Sequence, residues 1–140
     1  AALMRQSLVQ AIHHAQHRKA FGTRLVEQPL MQNVLADLAI ESEAATCLML
    51  RLARATDDRE HSAQQRAFGR VGVALGKYWT NKRVGGFIHE AMECLGGSGY
   101  VEESVLPRLY REAPLGGIWE GSGNVICLDV LRAMHKEPEC

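Results

Sequence analysis

The segment GGIWEGSGNV, residues 116–125, places one carboxylate, Glu120, beside Trp119, with glycines on both sides. Glycine relaxes the steric limits on the backbone and lets another group approach it closely. A carboxylate in this setting is either an ordinary partner of a helix dipole or a base held against a ligand. Apolar walls from Ile118 and Trp119 would raise the pKa of a buried Glu120 towards that of a working base. The residues alone leave both interpretations open.

Two other short motifs have simpler structural explanations. His13 and His17 are one helical turn apart, a spacing that can hold a metal, but no third ligand is evident nearby. We therefore interpret them as partly exposed helix histidines and predict no metal site. The GGSG motif at 96–99 lacks the preceding strand of a dinucleotide fingerprint and the Gly-Lys-Ser/Thr of a P-loop. A turn that ends a helix is the better interpretation, although glycine amides at such a turn can hold an anionic group.

A third pattern is basic. Between His61 and His89 the chain has several cations and no acid. The cations are Arg66, Arg70, Lys77, Lys82 and Arg83. Such a stripe could meet phosphates or an acidic partner, but a solvated helix face is the more common explanation.

The elements that must position these residues belong to an ordinary globular chain. Of its 140 residues, 46% are apolar and 23% charged, and 16 basic residues balance 16 acidic ones, so no net charge attracts nucleic acid or a membrane surface. The four cysteines form no CxxC pair, which favours reduced thiols and a cytoplasmic location. No apolar run approaches the ~20 residues that span a bilayer. The first residues are already helix-patterned without an N-cap, which suggests a piece of a longer protein.

Hydrophobic periodicity of three to four residues predicts helices along the whole chain. A first helix carries Met4, Leu8 and Ile12 and is expected to stop at Phe21-Gly22. A long second helix starts at Pro29 and a third runs over about 63–95. A short segment lies between two prolines, and a last helix begins near Ser122, with Leu128, Leu131 and Met134 on one stripe. No useful period-two alternation is present, so strands are not expected.

Long helices joined by short turns indicate an all-α fold, an antiparallel (up-down) four-helix bundle with an extra short helix. Gly69, Gly72 and Gly76 lie along one side of the third helix. Because glycine weakens a helix, this run predicts a neighbouring helix packed very close to it.

Three motifs, taken in order, carry a family resemblance over essentially all 140 residues: HRKAFG, AMECLGGSGY and REAPLGGIWEGSGNVICLDVLR. They resemble the C-terminal helical domain of acyl-CoA dehydrogenases. The wording around LGGSGYVEES and IWEGSGNVICLDVLR is most similar to the AidB branch of that family, the bacterial alkylation-response flavoproteins. The resemblance implies one domain, residues 1–140, cut from a parent whose other domains complete the site.

What the resemblance implies about chemistry is specific. The family uses FAD and oxidises an acyl-CoA thioester between Cα and Cβ, and Glu120 matches the base that removes the α-proton. Trp119 and Gly121 would then border the substrate. Ser122 and Asn124 match polar positions that touch FAD.

The remaining carry-overs concern a neighbouring subunit. Arg18 and Phe21 match residues that hold the FAD of that subunit, and Gly96 and Gly97 match the loop that receives it. Such sharing implies a homo-oligomer, usually a tetramer built as a dimer of dimers. The family's alternative position for the base would lie before Ala1.

Some positions depart from the family pattern. Pro29 stands where many members have a flavin-contacting Gln, although Gln28 is adjacent. Glu93 replaces the usual Gln before the glycine loop, and Trp119 replaces a common Tyr and could narrow the acyl pocket. These departures leave two other functions open for the parent. One is an AidB-like stress-response module that acts with DNA through the 66–83 face, and the other is a helical oligomerisation module.

Overall fold

A computed structural model describes residues 1–136. The helices of this region are α1 (Ala2–His17), α2 (Pro29–Asp57), α3 (Ala63–Leu95), α4 (Gly97–Tyr100), α5 (Leu106–Gly116) and α6 (Gly123–Lys136). Two short strands, β1 (Lys19–Ala20) and β2 (Thr23–Arg24), and a 3₁₀ turn (Leu25–Glu27) separate α1 from α2. The predicted all-α fold is confirmed, and the start of α2 and both ends of α3 lie where the sequence placed them.

The 33-residue helix α3 is the centre of the domain, since α1, α2, α5 and α6 all pack against it. The buried core lies where α1 and α2 meet the second half of α3. Its members are Met4, Leu8, Ala11, Ala15, Leu35, Leu38, Ala45, Val84, Phe87, Ile88, Ala91, Cys94 and Ala113. Helix α6 packs on the first half of α3, outside this core.

The glycine run on α3 marks a close helix contact, as predicted. A Cβ at Gly72 would lie 2.8 Å from Leu52 Cδ2, and one at Gly76 would lie 2.6 Å from Leu52 Cδ1. At Gly69 a Cβ would meet Ala55 at an ordinary 3.7 Å. The missing side chains at 72 and 76 therefore let α2 approach α3 with Leu52 seated against the backbone.

The prediction that α1 continues to Phe21-Gly22 and that strands are absent was wrong. Helix α1 ends at His17, and Lys19–Ala20 pairs antiparallel with Thr23–Arg24. Phe21 and Gly22 both have positive φ, 55° and 90°, which is the backbone of a two-residue hairpin turn. Gly22 therefore closes a hairpin rather than a helix, and two-residue strands are too short to show alternation in a sequence.

Parts of two predicted apolar stripes are not covered by the described residues. Leu30 at the start of α2 is exposed, and so is one whole face of α6. That face consists of Val125, Leu128, Leu131 and Met134. Helix α6 instead buries Ala133 and half-buries Ile126 and Val130.

Candidate functional site

The loop between α5 and α6 presents Glu120 on an unusual backbone. Glu120 has φ 54° and the following Gly121 has φ 109°, so two consecutive residues take left-handed conformations. Residues with a Cβ avoid this region because the Cβ crowds the carbonyl oxygen, whereas glycine does not. A non-glycine residue held there is a recurrent feature of functional sites.

Lys77, on the α3 surface that faces the loop, holds this turn by hydrogen bonds. Its ammonium donates one hydrogen bond to the carbonyl of Trp119 at 2.6 Å and another to the carbonyl of Gly121 at 3.0 Å. These two peptide oxygens flank Glu120 on either side in the chain. Charge-assisted hydrogen bonds of this kind are short and about twice as strong as neutral ones. The lysine therefore holds the backbone on both sides of the carboxylate.

The start of the loop rests on the next turn of α3. A Cβ at Gly116 would overlap the Asn81 side-chain oxygen, and one at Gly117 would lie 3.8 Å from Asn81 Cβ. Glycine at 116 therefore allows the loop to lie directly on α3. A small recess of about 200 Å³ remains beneath the loop, lined by Lys77, Tyr78, Asn81, Lys82, Pro114, Gly117, Gly121, Gly123 and Ile126.

The side chain of Glu120 is exposed, and so are its predicted apolar walls. Trp119 is 57% exposed and Ile118 is 65% exposed. Among residues 1–136, no side chain forms a hydrogen bond or an ion pair with the Glu120 carboxylate. Any burial of this group must therefore come from atoms outside this part of the chain, and its role as a base stays a prediction.

The other predicted site residues lie in three places. Ser122 and Asn124 are exposed at the start of α6, directly after the Glu120 turn. Arg18 and Phe21 belong to the hairpin, and Phe21 projects at its tip with 96% of its surface exposed. Gly96 and Gly97 lie at the far end of α3.

The hairpin is tied to α2 by Gln28. Its side-chain amide donates a hydrogen bond to the carbonyl of Ala20 at 3.0 Å, and Pro29 follows as the first residue of α2. Gln28 thus has a structural task in this chain. The exposed aromatic ring at position 21 is presented by a braced turn rather than by a loose loop.

The glycine turn after α3 is open on its outer side. Gly96 has φ 60° and ψ −141°, a combination that only glycine adopts readily, and a Cβ at Gly96 or Gly97 would meet no atom within 4 Å. The turn borders a groove of about 970 Å³. Glu93 faces this groove and lies 3.6 Å from His89 Nδ1, near enough for an ion pair when the imidazole is protonated.

The Glu120 turn and the glycine turn are far apart. The Glu120 turn sits over residues 77–81, near the middle of α3, and Gly96 ends that helix. At 1.5 Å per residue the separation along the axis is about 25 Å. One compact group therefore cannot touch the Glu120 turn and the glycine turn of the same chain.

The basic stripe of α3 is not the simple solvated face that the sequence favoured. Arg70 forms a bidentate pair with Asp129 of α6, at 2.8 and 3.0 Å, and this pair holds the pKa of the Asp129 carboxyl below its usual value. Arg83 pairs with Glu41 of α2 at 3.0 Å. Together with Lys77, which bonds to the Glu120 loop, three cations of the stripe therefore attach other elements to α3. The sequence analysis placed Lys77 on this stripe but missed its contact with the Glu120 turn. Lys77 bonds to main-chain oxygens, so no acidic partner residue in the sequence marks the contact.

Within residues 1–136, the histidines and cysteines form no metal site. His13 and His17 are exposed with their ring centres 4.4 Å apart, and residues 1–136 contain no group of three or more metal-binding side chains. Cys47 and Cys127 are exposed free thiols, while burial raises the pKa of the Cys94 thiol to about 11. The fourth cysteine, Cys140, lies outside the described residues. No helix of the described region has both the length and the apolar content needed to cross a bilayer.

Comparison with known proteins decides the family. The profile of the acyl-CoA dehydrogenase C-terminal domain matches residues 1–135. The chain belongs to the acyl-CoA dehydrogenase family. Within it, the chain is 50% identical to AidB of Escherichia coli over 97% of its own length, and 32% identical to bovine mitochondrial short-chain specific acyl-CoA dehydrogenase over 82%. The resemblance to the AidB branch is thereby confirmed.

Solved structures agree with the family. Caenorhabditis elegans ACDH-11 in complex with C11-CoA superposes with a TM-score of 0.93 at 30% identity over 96% of this acyl-CoA dehydrogenase domain. A glutaryl-coenzyme A dehydrogenase bound to glutaryl-CoA superposes with a TM-score of 0.79, also at 30% identity. The chain spans about a quarter of the length of its relatives, 25% of AidB and 23% of the ACDH-11 chain.

Proposed function

We propose that this chain is the C-terminal domain of an FAD-dependent acyl-CoA dehydrogenase-like oxidoreductase, with Glu120 as the base that removes the α-proton of an acyl-CoA thioester. The observation that carries the proposal is the Glu120 turn itself, a non-glycine residue held in a left-handed conformation between two lysine-bound carbonyls. The family membership and the acyl-CoA complexes of its structural relatives support the same assignment.

The chemistry asks three things of Glu120: a fixed position, an ionised carboxylate and shelter from water. The turn and Lys77 give Glu120 its fixed position. Trp119 and Ile118 offer apolar surface beside the carboxylate, and the other domains of the parent would cover it. Covering would exclude water from the carboxylate and so strengthen it as a base. Gly121, which has no side chain, lets the thioester approach the backbone.

FAD, when bound, would accept the hydride that leaves the β-carbon. The residues present fit a flavin that two subunits share. Gly96 and Gly97 offer an open backbone edge, and Phe21 offers a braced, fully exposed ring. Ser122 and Asn124 expose polar side chains beside the base. The distance of about 25 Å along α3 supports separate cofactors for the Glu120 turn and the glycine turn. Arg18 and Phe21 would join the glycine turn on the partner's cofactor.

An oligomer follows from this sharing. The exposed apolar face of α6 would be covered by a second copy, because contiguous apolar surface of this kind marks an interaction site. By itself the 140-residue piece would associate and would not turn over substrate, since the remaining domains of the parent complete the site.

The test uses the full-length parent. We expect a flavin absorption spectrum and exchange of the α-protons of an acyl-CoA with solvent deuterium. Glu120→Gln should abolish the exchange and leave the flavin spectrum intact. Glu112→Gln, the same change at another exposed position, is the matched control and should retain exchange. A colourless parent would leave only an oligomerisation module, and undiminished exchange in Glu120→Gln would remove that residue from the mechanism.

A role with DNA has less support from the structure. Arg70, Lys77 and Arg83 of the basic stripe already bind Asp129, loop carbonyls and Glu41 within the chain. Few free cations therefore remain on this face for phosphates. Binding of the parent to duplex DNA that weakens steeply with salt would restore this alternative.

A further inference from the structure

Lys77 is the side chain of α3 that touches the Glu120 turn on both sides. Its ammonium nitrogen lies 2.6 Å from the Trp119 oxygen and 3.0 Å from the Gly121 oxygen, and both bonds end on main-chain atoms. In regular helix or strand, the carbonyls of residues n−1 and n+1 do not converge on one donor. Here they converge because residues 120 and 121 are both left-handed. The lysine contact and the backbone conformation are thus two aspects of one arrangement.

We propose that Lys77 is a positioning residue for the Glu120 base, and that its ammonium keeps the carboxylate where it can reach the α-proton. This inference rests on the proposed function of Glu120. A turn with a Cβ in the left-handed region tends to relax to an ordinary conformation, and that relaxation would swing the side chain of residue 120 to a different direction. Two hydrogen bonds from one cation oppose the relaxation, since either left-handed residue that flips breaks a bond.

The attachment of α6 as a whole does not depend on Lys77. The bidentate pair between Arg70 and Asp129 joins α6 to α3, and Asn81 supports the loop where it leaves α5. Loss of Lys77 therefore leaves the loop anchored at both ends. Loss of Lys77 removes the bonds only from the segment 119–121, which contains Glu120.

The experiment compares variants of the full-length parent, purified with FAD. The probe is a panel of saturated acyl-CoAs that includes C11-CoA. The readout is the rate of deuterium exchange at the α-carbon. Measuring this rate over a range of acyl-CoA concentrations gives the kcat and KM of exchange per bound flavin. Lys77→Met keeps length and apolar bulk but removes the donors. Lys77→Arg keeps a cation with several donors. Arg66→Met is the matched control, because it removes an exposed cation from the same helix about three turns before Lys77, away from the loop.

We expect Lys77→Met to lower kcat about 10- to 100-fold with KM within about threefold of wild type, because misplacing a catalytic group by about 1 Å costs that much. Lys77→Arg should recover most of the rate, and Arg66→Met should match wild type. A Lys77→Met protein with wild-type kcat would overturn the inference while leaving Glu120 as the base, provided that Glu120→Gln is inactive.

Two further outcomes separate the claims. If Lys77→Met and Lys77→Arg both lose folding or flavin, Lys77 serves stability and the positioning role is overturned. If wild type exchanges none of the panel, or if Glu120→Gln exchanges normally, the proposed function fails and the inference fails with it.

Discussion

The left-handed conformation of Glu120 implies that the proposed base lowers the stability of its own domain. The residue has φ 54°, and its side chain is exposed and forms no hydrogen bond or ion pair among the described residues. A substitution there removes no packing and acts mainly through the backbone. Residues that accept this conformation should therefore stabilise the chain while they abolish the proposed proton transfer.

The magnitude follows from the backbone. A left-handed residue with a Cβ costs roughly 1–2 kcal/mol. Glu120→Gly removes that cost, but the freer unfolded chain takes back about 0.4–1 kcal/mol. Glu120→Asn keeps a Cβ and tolerates the conformation better than most residues. We expect Asn to raise the free energy of unfolding by about 1 kcal/mol, or roughly 3–5 °C in Tm for a chain of this size. Gly should give a gain of similar size, since roughly 1–2 kcal/mol less about 0.4–1 kcal/mol leaves about 0.8 kcal/mol.

The assay is urea-induced unfolding of the 140-residue chain, followed by circular dichroism. Glu120→Gln is the matched control, since it removes the charge and keeps the unfavourable backbone preference, so its stability should stay near wild type. If Asn and Gly are no more stable than Gln, the turn does not store strain at residue 120 and the reasoning is refuted.

Two further predictions concern the contact between α2 and α3 and the core. Gly76→Ala places a Cβ 2.6 Å from Leu52 Cδ1. Because overpacking costs about 1–3 kcal/mol and the better helix propensity of alanine returns only ~1 kcal/mol, urea unfolding should show a net loss of stability of about 1 kcal/mol. Gly69→Ala, with an ordinary 3.7 Å contact, should gain up to about 1 kcal/mol, and the same sign for both variants would contradict the close packing. Burial with a thiol pKa of about 11 should protect Cys94 from maleimide near pH 8 while the exposed Cys47 reacts, as read by peptide mass spectrometry; rapid labelling of both in the folded chain would show that the core is open.

Much of the fold could be predicted because local signals and packing agree. Pro29 and the 3.6-residue periodicity correctly predicted the start of α2. The glycines at 69–76 of α3 correctly predicted the close contact with α2. The hairpin at 19–24 could not be predicted in this way. Its strands have two residues each, and the left-handed Phe21 runs against the usual preference of an aromatic residue.

The sequence pointed to the Glu120 loop but not to what supports it. The glycines around Glu120 indicated a loop, and the family resemblance implies a base at that position, which stays a prediction. The two bonds from Lys77 end on carbonyl oxygens, which every residue possesses, so no pattern of side chains could reveal them. The exposure of the α6 stripe at Leu128 and Leu131 also escaped prediction, because periodicity shows that a helix has an apolar face but not whether that face lies inside one chain.

The length of α3 has a mechanical consequence. One continuous 33-residue helix acts as a rod that supports the carboxylate turn near its middle and ends in the open glycine turn. Any tilt of that rod shifts both places together, in fixed proportion. Substitutions along α3 that move the helix would therefore register at both places, even where they touch neither.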